Sequence, residues 1–207
     1  MKIYILWPHD QTRDNWIINR WFRRKDGVPD YAPLAPYRDF VCLSCRRIDY
    51  DSVFNLGFAK AKTFRGKGDL LRSNDGFWCI SQSLVDLFER EGVQGMKFSR
   101  ISDTDWYVVN IVRRVRVSPD VYLAIGKPCP SCGRSTEILD CVRSMGQFLD
   151  DPPKHSVFTT IEYRERDDRD MLLNESVLKL FVEAQIRGCV ANQIPLREGM
   201  PFDQVIL

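Results

Sequence analysis

The chain has 207 residues, 44% of them hydrophobic and 12% aromatic, enough to bury a core as one large domain or two small ones. Charged residues make up 28% and almost balance, with 30 Lys plus Arg against 28 Asp plus Glu. That balance excludes a disordered or low-complexity chain, and it argues against a strongly electropositive nucleic-acid binder.

The opening MKIYILWPHD alternates weakly, so residues 2–7 are predicted as a strand. Its apolar run of about six residues is too short for a secretory signal. No window approaches the roughly 18 apolar residues of a membrane span, so a cytoplasmic protein is expected. Residues 15–24 carry Trp16, Ile17, Ile18, Trp21 and Phe22 at helical spacing. Pro29, Pro33 and Pro36 then predict loop. Lys60, Lys62, Arg65 and Lys67, with Gly66 and Gly68, predict an exposed basic loop.

Residues 77–80 suit a buried strand, and Ser81 is a helix N-cap type. Leu84, Leu87 and Phe88 form one helix face, ended by Gly92 and Gly95. Residues 96–101 predict a strand. Residues 107–117 predict one long strand, with Val109, Ile111 and Val115 on one face and Arg114 and Arg116 on the other. Residues 157–163 alternate again. Then 171–173 predict a strand and Asn174 a cap. Val177, Leu180, Phe181 and Ala184 make a helix face, followed by Gly188 and a strand over 189–194.

Seven cysteines is an odd number, and their spacing is not that of a secreted disulfide scaffold. Four form two pairs, Cys42-Leu-Ser-Cys45 and Cys129-Pro-Ser-Cys132-Gly133. Two intervening residues let both sulfurs of a pair face one ion, and a following Gly supplies the positive φ of such a knuckle. Arg46 stands where the first pair would have that Gly. A shared structural zinc at Cys42, Cys45, Cys129 and Cys132 is the expected use. Redox chemistry and separate uses are the alternatives, though Pro128 and Pro130 make a loop of the second pair where a thioredoxin-like motif would open a helix. Cys79, Cys141 and Cys189 lie in apolar surroundings and are expected to be buried small hydrophobes.

Setting Ile80 against Leu173, an offset of 93 residues, aligns the two strand–helix–strand stretches without a gap. Ser83 then meets Ser176, Leu87 meets Leu180, Phe88 meets Phe181, Gly95 meets Gly188 and Ile101 meets Ile194. The expected architecture is a single α+β domain over 1–207. It comprises two related β-α-β halves, about 1–117 and 118–207, joined by the four-cysteine zinc site.

The chain resembles bacterial double-CxxCG motif proteins and the related immunity proteins of polymorphic toxin systems. The residues that carry the resemblance are CLSC at 42–45, CPSCG at 129–133, WYVVNIVRRVRV at 106–117, CISQSLVDLFEREGVQGMKF at 79–98 and LLNESVLKLFVEAQIRG at 172–188. It implies metal-binding cysteine pairs and a protein that neutralises a cognate toxin by binding it. Arg46 departs from the motif. The near-neutral charge departs from the acidity of many immunity proteins, so a basic nuclease partner is not implied.

Catalysis is not expected. There are two histidines. His9 lies beside Asp10, and neighbours in a strand face opposite ways. His155 sits in a predicted surface loop after Asp150 and Asp151. No GxSxG, P-loop, GxGxxG or HExxH motif is present. Asp150, Asp151, Asp167, Asp168 and Asp170 could make an acidic metal site but are explained by solvated turns. The alternative function is a zinc-ribbon-type nucleic-acid-binding or regulatory protein using Lys60, Lys62, Arg65, Lys67, Arg113, Arg114 and Arg116; the small net charge weighs against it. Protein binding is favoured instead, since Trp, Tyr and Arg dominate interface hot spots. Trp16, Trp21, Phe22 and Arg23 on one predicted helix, with Tyr31 and Tyr37 in predicted loops, are the candidates, and core filling is the alternative for each tryptophan.

Overall fold

The computed structural model describes residues 2–8, 17–18, 32–45, 47–58, 67–116, 122–125, 127–133, 138–140, 150–160, 170–194 and 204–206. The first elements are β1 (Ile3–Pro8), a 3-10 helix (Ala32–Phe40), α1 (Tyr50–Leu56), β2 (Leu70–Arg72), β3 (Trp78–Ser81) and α2 (Gln82–Arg90). Next come β4 (Met96–Arg100), β5 (Trp106–Ile111), β6 (Arg114–Val115), β7 (Tyr122–Ile125) and β8 (Ile138–Asp140). The last are β9 (Val157–Thr160), β10 (Leu172–Asn174), α3 (Glu175–Glu183), β11 (Cys189–Ile194) and β12 (Gln204–Ile206). The protein is mixed α+β, as expected. Among the described residues, no helix is long and apolar enough to cross a membrane.

One sheet has the order β2-β3-β5-β4, the other β12-β11-β1-β10-β9-β6, and β7 pairs with β8. A shared core lies between the sheets and α2 and α3. It includes Ile80, Val109 and Ile111 from one sheet, Tyr4, Leu6 and Leu173 from the other, and Phe88 and Phe181 from the helices. The opposite face of the four-stranded sheet presents Leu71, Cys79 and Val108 to Tyr37 of the 3-10 helix and Tyr50 and Val53 of α1. Burial on both faces explains why β5 lacks a clean apolar–polar alternation.

The two strand–helix–strand stretches share local detail at the offset of 93. Ser81 caps α2 by accepting from the Leu84 N–H, and Asn174 caps α3 by accepting from the Val177 N–H. Each helix ends with a reversed hydrogen bond, Val93 N–H to Phe88 O at 2.9 Å and Ile186 N–H to Phe181 O at 3.0 Å. The left-handed residue inside that closure is Gly92 (φ 67°) in one stretch and Gln185 (φ 52°) in the other. A side chain is disfavoured there, so Gln185→Gly is expected to stabilise the protein by up to about 1 kcal/mol, read as a raised urea midpoint.

Each stretch also encloses an antiparallel strand in one register. Ile80 faces Tyr107 and Phe98 faces Val109 across β5; Leu173 faces Tyr4 and Ala191 faces Leu6 across β1. The stretches then meet through matching residues. The Phe88 and Phe181 rings stack at 5.6 Å between centroids. Leu70 N–H donates to Arg187 O at 3.2 Å, and Val157 N–H donates to Gln94 O at 3.0 Å. Phe88→Ala and Phe181→Ala are each expected to cost about 3–5 kcal/mol. A double-mutant cycle should recover a coupling of about 1 kcal/mol, because each ring loses its partner when the other is truncated.

Several elements differ from expectation. The stretch with Pro33 and Pro36 is a 3-10 helix, since the φ that proline fixes suits that geometry. The strand predicted over 107–117 is broken. The N–H groups of Val112 and Arg113 both turn to Gly95 O (2.9 and 3.2 Å), and the chain crosses to pair as β6 alongside β9 of the other sheet. Ala184 is exposed and Leu178 takes its place in the core. Of the helix predicted over 15–24, only Ile17 and Ile18 are described, as a bend. Their N–H groups donate to the buried Asp75 carboxylate at 3.1 and 2.7 Å.

Candidate metal centre

The first cysteine pair caps a short hairpin between the 3-10 helix and α1. Cys42 N–H donates to Arg47 O and Asp49 N–H to Phe40 O, both at 2.8 Å, and Asp49 then caps α1. The second pair closes its own turn, with Gly133 N–H donating to Cys129 O at 2.8 Å and Gly133 at φ 72°. That is the positive φ expected of the Gly after a knuckle. Arg46, the corresponding residue of the first pair, lies outside the described residues.

The fold brings these pairs together across 87 residues. Cys42 Sγ lies 3.9 Å from Cys129 Sγ, and Cys45 Sγ lies 3.6 Å from Cys132 Sγ. All four sulfurs fall within 4.8 Å of one another, a group that could hold a metal ion. A tetrahedron with bonds near 2.3 Å has sulfur–sulfur edges of about 3.8 Å, so the spacing fits the ion that thiolates favour. Between the knuckles, Ser44 Oγ and Ser131 Oγ hydrogen-bond at 2.7 Å. These serines escaped the sequence reading; the signal was a Ser at the third position of both motifs.

The electrostatics also suit a cation. Backbone N–H groups of Ser131 and Cys132 point at Cys129 Sγ and lower its pKa to about 6. Burial opposes ionisation of Cys42, but the N–H groups of Cys45 and Ser44 outweigh it and lower its pKa. Burial raises Cys45 to about 12, with the neighbouring sulfurs adding to the shift. The cluster therefore sheds its first protons readily and holds the last, as crowded like charges must. A divalent cation relieves that repulsion.

The sign of the pH effect follows. Between about 6 and an ordinary thiol value of 9, the depressed Cys129 is ionised in the folded chain and protonated in the unfolded one. Metal-free protein should gain stability from pH 6 to 9 and lose that contribution as pH falls through 6. Above 9, the raised Cys45 reverses the trend. Urea midpoints in chelator check this: the rise between pH 6 and 9 should shrink in Cys129→Ser, and a wild-type profile no steeper than the variant's refutes it.

Cys79 and Cys189 are fully buried, as expected of small hydrophobes; burial pushes Cys79 well up and Cys189 to about 12. Cys141 lies outside the described residues, as do His9, Lys60, Lys62, Arg65, Asp167, Asp168, Trp16, Trp21, Phe22, Arg23 and Tyr31. His155 donates from Nε2 to Glu91 O at 2.8 Å and turns Nδ1 to Ser176 Oγ at 3.2 Å, joining the end of α2 to the start of α3. Asp150 takes a two-pronged ion pair from Arg116, with Nη2 at 2.8 Å, and among the described residues no acidic group gathers to hold a metal. Arg114 pairs with Asp51 at 2.6 Å. Two of the seven candidate basic residues are thus neutralised locally, while Lys67 and Arg113 are exposed. Tyr37 is buried and donates to Gly57 O at 3.1 Å, so it is core and not an interface candidate.

No protein-family model matches the chain, and no curated protein matches it.

Proposed function

We propose that the chain is a non-enzymatic zinc protein that binds and neutralises a cognate bacterial toxin. A structural ion at Cys42, Cys45, Cys129 and Cys132 fastens its two halves. The observation that carries the metal is the convergence of four thiols from sites 87 residues apart. Four sulfurs complete a tetrahedral ion and leave no position for water or substrate, so the ion's role is structural. The toxin partner rests on the resemblance of CLSC, CPSCG and the two strand–helix–strand stretches to immunity proteins. Nucleic-acid binding is less favoured, because Arg114 and Arg116 face carboxylates within the protein.

The halves are, on this proposal, two copies of one unit. Its support is the matched register, the matched helix closures and the meetings of Phe88 with Phe181 and Ser44 with Ser131. β1 then fills in one copy the place that β5 fills in the other, so the copies interleave in sequence near the start of the chain. The decisive test of function is the gene immediately upstream. A toxin-like reading frame there, whose product co-purifies with this protein, is the expected outcome; salt-sensitive binding to generic DNA or RNA, with no such product, would replace it.

A further inference from the structure

We infer that the metal centre is also a disulfide site, at which Cys45 and Cys132 join the two knuckles covalently when the ion is absent and an oxidant is present. The inference rests on the proposal of four thiolates sharing one ion. All four sulfurs lie within 4.8 Å of one another, and of the two contacts that bridge the knuckles the Cys45–Cys132 one is the shorter, at 3.6 Å against 3.9 Å for Cys42–Cys129. Bond formation at about 2.05 Å needs a movement of roughly 1.5 Å shared by two side chains.

Access favours the same pair. Cys132 is exposed and Cys45 half-buried, whereas Cys129 is buried. The competing bonds, within each knuckle, would draw Cys42 and Cys129 out of their nests of backbone N–H groups. Cys45 and Cys132 can join while both nests stay filled. Ser44 and Ser131, in contact at 2.7 Å, hold the tips of the turns together during the approach.

The step balances with a peroxide as oxidant. The exposed Cys132, as its thiolate, attacks the peroxide oxygen, forming a sulfenic acid and releasing hydroxide, which takes a proton as water. The Cys45 thiol, losing its proton as it reacts, attacks the sulfenic sulfur; the S–S bond forms and the sulfenic oxygen leaves as water with that proton. Two thiols lose two electrons, and the peroxide gains them. A thiol reductant reverses the bond. The knuckles would then stay fastened through loss of the ion.

The test uses the full-length protein, stripped of metal by a chelator under reductant, desalted, and treated with one equivalent of hydrogen peroxide. Peptide mapping without reduction should recover the Cys45–Cys132 cross-link in roughly tenfold excess over Cys42–Cys45 and Cys129–Cys132 together. Predominance of the within-knuckle bonds, or no disulfide, overturns the inference. A Cys42→Ser/Cys129→Ser variant should form the same cross-link; because the wild-type map stands alone, a variant that fails to fold does not rescue a negative result. Zinc content of the untreated protein separates the two proposals. A cross-link in protein that carried no metal as purified sinks the zinc centre and keeps the disulfide, while protein that carried zinc as purified and gives no cross-link after stripping and oxidation does the reverse.

Discussion

Replacing any one of Cys42, Cys45, Cys129 or Cys132 with Ser should drop bound zinc from about one ion per chain to a small fraction, because three thiolates leave an open and hydrolysable position. Binding free energies of roughly 10–16 kcal/mol for structural zinc in small domains set an upper bound on what is lost. Here a core of three apolar clusters remains, so the expected cost is smaller, about 4 kcal/mol or more. Inductively coupled plasma mass spectrometry and urea unfolding check both quantities. Chelation of the wild type should reproduce the variant's stability to within about 1 kcal/mol. Zinc-free wild type with the stability of the untreated protein would show that no ion fastens the two knuckles.

The second large effect lies at two glycines. Gly95 and Gly188 have φ of 96° and 112°, and a Cβ on either would collide with a backbone carbonyl oxygen, Val157 O for Gly95 and Leu70 O for Gly188. Neither carbonyl can move alone, because Leu70 and Val157 are held in strands and hydrogen-bonded to Arg187 and Gln94. Gly95→Ala and Gly188→Ala should each destabilise by about 3 kcal/mol or more, combining backbone strain with overpacking. Gly92→Ala is the control. Its φ of 67° is strained too, but nothing lies within 4 Å of the added carbon, so about 1 kcal/mol is expected. Equal costs at Gly92 and Gly95 in thermal or urea unfolding would show that the close approach contributes nothing.

The sequence made the local elements legible wherever one residue type carries one physical demand. Ser81 and Asn174 mark helix starts because their side chains reach an unpaired N–H, and the structure uses them so. Cys42, Cys45, Cys129 and Cys132 were readable as a group because two-residue spacing has few other uses. What stayed hidden depended on distant partners. Nothing in IYILWP says that β1 lies between β10 and β11 and not at an edge, since apolar alternation records burial and not neighbours. β2 is three residues long, too short for a period, and its place is set by β3 and by Arg187. Asp75, in Asn74-Asp75-Gly76, looks like a solvated turn; it is fully buried because the N–H groups of Ile17 and Ile18 and the Ser73 hydroxyl converge on it.

The position of β1 sets the order in which the protein can be made. Ile3 pairs with both Asn174 and Ile194, so this strand must wait for partners 171 and 191 residues further along the chain. β2 through β5 can pair among themselves as they emerge. Until then Ile3, Tyr4, Ile5 and Leu6, all finally buried, travel on the nascent chain as an unpaired apolar strand, a template for wrong pairing. Such long-range closure is slow. The six-stranded sheet is therefore the late and vulnerable step of biosynthesis, and the stage at which a chaperone would matter to yield.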